Sequence, residues 1–267
     1  MSFRALHQPG TPFVLANAWD VGSARVLAAL GARAVATSSA AYAFTRGLPD
    51  GGHISRDDHL AHAQDLIAAV DVPVSGDFED GFGPDPETCA ETVRLSGEIG
   101  LAGICIEDTI AASERVYEFD LAVERVRAAS AAARGLKEDF FFVARADGVM
   151  TGGYDMTEAV RRIKAFADAG ADGIYVPLPP DMGALKQIVA ATDKPVNVLA
   201  AGPITKHSYA EFAAAGVARI SLGSALARVT HRALVETATG VLGGDFTGLQ
   251  AAMSGDKVDA MLEKGAS

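Results

Sequence analysis

The chain has 267 residues, of which 49% are hydrophobic and only 7% aromatic, and its formal net charge is −11 at pH 7. Such an acidic chain offers no basic surface, which excludes nucleic acid and anionic membranes as expected partners. The start lacks an apolar signal region, and no apolar stretch approaches the roughly 18 residues that span a bilayer. With two cysteines, which suit a reducing compartment, we expect a cytoplasmic protein.

Short apolar runs recur about eight times along the chain, each followed by an amphipathic stretch such as Leu121–Ala133 or Thr157–Ala169. The runs are nearly continuous rather than alternating, which is typical of parallel strands covered on both faces. In chain order the predicted strands are Phe13–Asn17, Ala34–Ser38, Val72–Asp77, Gly103–Glu107, Phe140–Arg145, Gly173–Pro177, Pro195–Leu199 and Ala218–Leu222.

The alternation of strands and helices runs through the chain without a linker or low-complexity break. Several predicted helices end at glycine, which favours the left-handed backbone of a helix terminus. These features predict an α/β fold: a single (β/α)8 TIM barrel over residues 1–267, with 245–267 as a C-terminal helical extension. A doubly wound open sheet is the alternative, but Asn17–Gly22, after the first strand, lacks the glycine-rich nucleotide fingerprint.

Acidic residues end two neighbouring predicted strands, at the end of the barrel where ligands bind. Asp77 and Glu79 are two residues apart, so on an extended backbone their side chains project to the same face, and Glu107 ends the next strand. A single acid would be explained as a solvated loop residue or a helix cap. Three converging carboxylates repel one another unless a cation intervenes, and their oxygens suit Mg2+ or Mn2+. Together they predict a divalent-metal site.

Other polar residues lie at the same end of the predicted barrel. Arg145 closes the fifth strand, where a lone charge would be costly, so it either pairs with one of the acids or binds a substrate carboxylate. The loop Thr37–Ala40 offers small side chains and free backbone N–H groups. The turn-rich loop Arg46–Gly52 is long enough to cover the mouth.

Six segments of the chain match a known family pattern. They are Asn17–Asp20, Thr37–Ala40, Gly47–Asp50, Gly76–Gly83, Ile106–Asp108 and Ala144–Asp147. Taken in order, these segments resemble the isocitrate lyase/phosphoenolpyruvate mutase superfamily, over roughly residues 12 to 230. The resemblance implies that the barrel exchanges its eighth helix between subunits and forms a homotetramer, a dimer of dimers.

The resemblance also implies roles for individual residues. The chemistry would make or break a C–C or P–C bond beside a pyruvate-like enolate, whose oxyanion a metal stabilises. Mg2+, or Mn2+, would be held by Asp77, Glu79 and Glu107. Asp50, Arg145 and Glu107 are the catalytic candidates. The substrate-binding candidates are Ser38, Ser39, Ala40, Arg145 and Asn197.

The sequence departs from the family pattern after the fourth strand. Isocitrate and methylisocitrate lyases carry a Lys-Lys/Arg-Cys-Gly-His loop there, whose cysteine is the expected proton donor. This chain reads Thr109–Tyr117 without a cysteine, and the asparagine-bearing loop of the mutase is also missing. Tyr117 or Glu114 is the candidate for the missing acid.

The leading hypothesis is therefore a Mg2+-dependent lyase that breaks a C–C bond in a small 2-oxo or 2-hydroxy carboxylic acid, as an oxaloacetate decarboxylase or an isocitrate lyase does. A P–C bond mutase or hydrolase acting on phosphonopyruvate is the first alternative, because the same metal site serves both reactions. The second is a 2-oxo acid-binding protein that kept the barrel but lost catalysis, which the missing loop motifs support.

Overall fold

Eight short parallel strands close into a barrel in chain order, with the last strand pairing back onto the first. The structure is a computed structural model, and it describes residues 2–111, 113 and 115–266. The predicted TIM barrel is confirmed, and every predicted strand contains an observed one. The strands are β1 (Phe13–Asn17), β2 (Val35–Ala36), β3 (Val74–Asp77), β4 (Gly103–Glu107), β5 (Phe141–Arg145), β6 (Gly173–Tyr175), β7 (Val196–Leu199) and β8 (Arg219–Ser221).

Helices follow the strands and cover the outside of the barrel. Several begin at a side-chain cap; for example, the Asp155 carboxylate accepts the backbone N–H of Glu158. The α-helices of the described residues are α1 (Val21–Ala29), α2 (Ser39–Thr45), α3 (Arg56–Ala69), α4 (Pro86–Glu98), α5 (Phe119–Gly135), α6 (Gly148–Thr151), α7 (Met156–Asp168), α8 (Met182–Ala190), α9 (Tyr209–Ala214), α10 (Ala225–Leu242) and α11 (Gly255–Lys264).

Apolar side chains pack both outside and inside the strands. Between strands and helices, residues such as Phe142 and Ile163 are completely buried. Inside the barrel, Phe13 and Phe141 pack with Phe3, which lies just before a short 3-10 turn at Arg4–Leu6. This N-terminal segment closes the bottom of the barrel, so the interior opens at the carboxyl ends of the strands, where TIM barrels bind their ligands.

The C-terminal segment is arranged differently from the other helices. Only Ala227 of α10 is buried, and the main contact of α10 is with the 3-10 turn Thr247–Ala251 that follows it. The predicted extra helix is present as α11, which packs against α1. In the part of the chain that the structure describes, no helix is both long and apolar enough to cross a membrane.

Candidate active site

A cavity of about 780 Å3 opens at the carboxyl ends of the strands. Its size is within the usual range for small-molecule sites. The structure brings together at this cavity all the site residues expected from the sequence except one, Asn197. Those that line it are Ser38, Ser39, Ala40, Asp50, Asp77, Glu79, Glu107 and Arg145.

Arg145 lies at the centre of the acidic residues. Its Nε donates to Asp147 Oδ1 at 2.7 Å and its Nη2 to Asp147 Oδ2, so Asp147 binds one edge of the guanidinium in a bidentate way. Nη1 lies 3.1 Å from Asp77 Oδ1, and Nη2 lies 3.1 Å from Glu107 Oε2. Burial opposes the charge of Arg145, but the three carboxylates outweigh it and raise the pKa of Arg145 well above its usual value. Arg145 therefore pairs with the acids, as one of its two interpretations predicted.

Asp77, the last residue of β3, joins the loop after β2 to this network. Its Oδ2 accepts the backbone N–H of Ser39 at 3.0 Å and the Ser39 hydroxyl at 2.8 Å. Burial alone would raise the pKa of Asp77, but Arg145 and the two donors of Ser39 outweigh burial and lower it. Asp77 is consequently held as a carboxylate.

Glu79 lines the cavity with a backbone conformation that the sequence did not predict. The expectation of an extended backbone after Asp77 was wrong, because Glu79 has a φ of +44°, in the left-handed region that non-glycine residues rarely occupy. Its carbonyl accepts the Glu107 N–H at 2.8 Å, and its carboxylate accepts the Gly52 N–H at 3.1 Å. Burial and the charge of Asp77 raise the pKa of Glu79 to about 7, although the Gly52 hydrogen bond opposes this.

The remaining acids of the cavity also have raised pKa values. Burial raises the pKa of Glu107 well above its ordinary value despite Arg145, and Asp147 and Asp77 add to the shift. Asp50 lies on the exposed loop, yet enclosure of its carboxyl group and the charge of Asp77 raise its pKa. This side of the cavity therefore has more carboxyl groups than Arg145 can pair with, and their raised pKa values show that the ionised forms are disfavoured without a further cation.

The donor set fits a hard divalent cation. Carboxylate oxygens are the ligands that Mg2+ and Mn2+ prefer, and a cation would offset the burial and the repulsion that raise the pKa values of Glu79 and Glu107. As arranged here, Asp77 and Glu107 face Arg145. Over the described residues, no three acidic, histidine or cysteine side chains already surround a common metal position. The assignment of Asp77, Glu79 and Glu107 as metal ligands stays a prediction.

Two candidates, Asn197 and Tyr117, lie elsewhere than expected. Asn197 does not line the cavity: it is buried behind it, donating to Ser221 Oγ at 2.8 Å and accepting from Arg219 Nε at 2.9 Å. Tyr117 is not a lining residue either, and its hydroxyl donates to Asp80 Oδ2 at 2.7 Å. Glu114, the other candidate acid, lies outside the described residues.

Sequence reasoning missed the residues that hold Arg145 in place. Asp147 was noted only as part of the segment after Arg145, and it is completely buried. The Asp147 backbone N–H donates to Asp108 Oδ1 at 2.8 Å, while Asp108 Oδ2 accepts from Arg162 and Tyr154. An acid two residues after a strand-end arginine was a usable signal in the sequence, because a buried guanidinium needs a carboxylate partner.

The closed parallel barrel with a cavity at its carboxyl end, lined by carboxylates around an arginine, defines an α/β-barrel protein with an enzyme-type site. A family model described as phosphoenolpyruvate phosphomutase matches residues 3–242. The chain belongs to this family, and with it to the phosphoenolpyruvate mutase/isocitrate lyase superfamily of lyases and mutases.

Three relatives illustrate the similarity. A candidate lyase/mutase from Burkholderia cenocepacia J2315 is 43% identical, with a TM-score of 0.92 over 97% of this chain and 93% of that one. An uncharacterized protein from Mycobacterium tuberculosis (strain ATCC 25618 / H37Rv) is 36% identical over 225 residues, which cover 84% of this chain and 82% of the relative. Oxaloacetate acetylhydrolase in complex with its product oxalate is 25% identical, with a TM-score of 0.86 over 98% and 92% of the two chains.

Proposed function

We propose that the protein is a Mg2+-dependent lyase that breaks a C–C bond in a small 2-oxo or 2-hydroxy carboxylic acid through a pyruvate-like enolate. The observation that carries this proposal is the charge arrangement at the cavity. Arg145 is fixed by three carboxylates, while Glu79 and Asp50 add two further carboxyl groups whose raised pKa values disfavour the ionised forms until a cation binds. A divalent cation and an anionic substrate together would balance this arrangement.

The proposed metal ligands are Asp77, Glu79 and Glu107. When bound, the cation supplies Lewis-acid stabilisation of the oxygen that becomes negative as the bond breaks. Oxygen ligands from carboxylates leave positions on Mg2+ for water and substrate. The hydrogen bond from Gly52 to Glu79 ties the loop over the mouth to this set, so the loop and the metal site are coupled.

The chain's own groups would bind and orient the substrate. Arg145 is held in one orientation because Asp147 binds its Nε and its Nη2, and a preorganised guanidinium suits a carboxylate or an enolate oxygen. Ser39 donates both its backbone N–H and its hydroxyl to Asp77. The other donors of this loop would therefore bind the substrate. Ala40 lies in the first turn of α2, where backbone N–H groups have no partner within the helix. Asp50, with its raised pKa, is the proposed proton-transfer group at the reacting end.

The similarity to oxaloacetate acetylhydrolase, which was solved with its product oxalate, supports a small 2-oxo diacid as the substrate class. The description of the matching family, phosphoenolpyruvate phosphomutase, favours a second candidate: P–C bond chemistry on phosphonopyruvate. Both candidates use the same enolate-stabilising groups. They differ in the bond that breaks.

An assay of 2-oxo acid release, which detects pyruvate and, from isocitrate, glyoxylate, tests the proposal. The substrates are oxaloacetate, isocitrate, methylisocitrate and phosphonopyruvate, each with Mg2+ and then with EDTA. We expect release from one carbon substrate that disappears with EDTA and in Asp77→Ala, but not in the control Asp259→Ala on the exposed side of α11. Release from phosphonopyruvate alone would favour the second candidate. Oxalate binding without any turnover would indicate a binding protein.

We further propose that the chain assembles as a dimer of dimers by exchanging α10. Large apolar residues are exposed along this helix, including Leu234 and Val235 at 64% each and Leu242 at 88%. A helix with such a face is covered in solution by another surface, and α10 packs mainly on the turn that follows it rather than on its own barrel.

A further inference from the structure

The barrel wall is polar on the side of β6 to β8. Arg219, the first residue of β8, is 4% exposed and lines the same cavity as the mouth residues, together with Tyr175 and Ser221. The interiors of TIM barrels are normally filled by layers of branched apolar side chains. Here the cavity instead continues past the mouth to a buried guanidinium.

Arg219 has no carboxylate partner among the described residues. None of their ion pairs includes it. Its Nε donates to Asn197 Oδ1 at 2.9 Å, and its Nη1 lies 3.4 Å from His7 Nε2. Both partners are neutral. Asn197 has an uncharged amide, and burial and the charge of Arg219 lower the pKa of His7 to about 3.

The two buried arginines of the cavity therefore differ in their surroundings. Arg145 is matched by three carboxylates, whereas Arg219 is matched only by an amide and an imidazole. Removing a charged group from water without a counter-charge is strongly unfavourable. A buried cation that borders a cavity is compensated when an anion enters that cavity.

Neighbouring residues fix the position of Arg219. Asn197 accepts from Arg219 Nε and donates to Ser221 Oγ at 2.8 Å, which leaves the Asn197 amide no freedom to turn. His7 is itself stacked on Phe141, with ring centroids 3.8 Å apart. The guanidinium is thus held in one orientation beside the cavity, as anion recognition by arginine requires.

We propose that Arg219 forms an anion subsite at the floor of the cavity, which binds the second anionic group of a substrate whose 2-oxo acid end lies at Asp77 and Arg145. This inference rests on the function proposed above and makes its substrate class more specific. The substrate is a 2-oxo acid with a terminal carboxylate or phosphonate, not a monocarboxylate. A cavity of about 780 Å3 has room for both ends.

The test compares ligands that differ only at the end facing Arg219. Oxaloacetate and 2-oxobutyrate have the same carbon chain, but one ends in a carboxylate and the other in a methyl group; 3-phosphonopyruvate replaces the carboxylate by a phosphonate, and oxalate occupies the mouth alone. Affinities are measured calorimetrically with Mg2+, or as KM for a ligand that is turned over. The proteins are the wild type, Arg219→Gln, Arg219→Lys and the exposed control Arg127→Gln.

We expect the wild type and the control to prefer oxaloacetate or 3-phosphonopyruvate over 2-oxobutyrate by at least about tenfold, the scale of one charge-assisted contact. Arg219→Gln should lose this preference while its affinity for oxalate stays within about twofold, and Arg219→Lys should keep part of the preference. The ligand that is preferred, oxaloacetate or 3-phosphonopyruvate, identifies the second group as carboxylate or phosphonate.

Equal binding of oxaloacetate, 3-phosphonopyruvate and 2-oxobutyrate by the wild type would overturn the subsite, and so would an unchanged preference in Arg219→Gln. In both cases oxalate binding would leave the proposed function intact. If the wild type binds neither oxalate nor any 2-oxo acid, the proposed function itself fails. Should Arg219→Gln not fold, Arg219→Lys takes its place, because it keeps the charge but loses the guanidinium geometry; an unchanged preference in Arg219→Lys would then overturn the subsite.

Discussion

Asp147 is completely buried and binds the Nε–Nη2 edge of Arg145 with both carboxylate oxygens, so we assign it the role of positioning the guanidinium. We predict that Asp147→Asn lowers kcat/KM by about 10- to 100-fold, because a displacement of the arginine disturbs the alignment of the reacting groups. The effect should fall mainly on kcat if Arg145 acts on the developing enolate. Unchanged kinetics, measured beside the control Asp259→Ala, would show that Asp77 and Glu107 orient Arg145 by themselves.

His7 provides a pH test of the barrel floor. Because burial and Arg219 lower its folded-state pKa to about 3, His7 stays neutral in the fold but takes up a proton in the unfolded chain below the usual value of 6.5. Stability is therefore lost as pH falls from 6.5 towards 3, by about 1.4 kcal/mol per pH unit from this group.

The comparison of wild type with His7→Gln isolates that contribution. The difference between their free energies of unfolding, from urea titrations at pH 5 and pH 7.5, should shift in favour of the variant at pH 5. A pH-independent difference between wild type and His7→Gln would mean that His7 carries its proton in the fold.

At the scale of elements, the segment between β4 and α5 is anchored by Tyr117. Its hydroxyl donates to Asp80, its carbonyl accepts from Arg162 at 2.9 Å, and its backbone N–H donates to the Asp108 carbonyl. We predict that Tyr117→Phe reduces the free energy of unfolding by about 1 kcal/mol, the usual net value of one hydrogen bond, but leaves kcat within about threefold. A loss of kcat by about 100-fold or more would restore Tyr117 as the catalytic acid.

The strands could be predicted closely because parallel strands buried on both faces leave an unbroken apolar run in the sequence. The backbone conformation of the loops after the strands has no comparable pattern in the sequence. The left-handed backbone at Glu79 is imposed by its neighbours, since Glu107 binds its carbonyl and Gly52 its side chain.

Arg219 and Asn197 show that the sequence also does not predict which side chains of a strand reach the cavity. Both belong to predicted strands, but which of them reaches the cavity depends on the register between β7 and β8. A charged residue within an apolar run was the available sign that Arg219 has a functional role. The same kind of sign led to the prediction of Arg145 as a site residue.

At the scale of the whole molecule, α10 decides how the chain assembles. Replacing Leu234 and Val235 together by glutamate should prevent a partner from covering the helix, since buried unpaired charges are strongly unfavourable. We predict a shift from tetramer to smaller species in light scattering coupled to gel filtration. The control Leu30→Glu changes an apolar residue of similar exposure, 70%, outside α10. A tetramer that survives the double replacement, or a wild type that is monomeric, would contradict helix exchange.

The most direct test of the account is whether the cavity binds a metal and a 2-oxo acid analogue together. Calorimetric titration of oxalate into the wild type should show binding with Mg2+ and none with EDTA. Asp77→Ala should abolish the binding, and the exposed control Asp259→Ala should preserve it. Oxalate binding of equal strength with Mg2+ and with EDTA, or undiminished binding in Asp77→Ala, would contradict the assignment of Asp77, Glu79 and Glu107 to a metal.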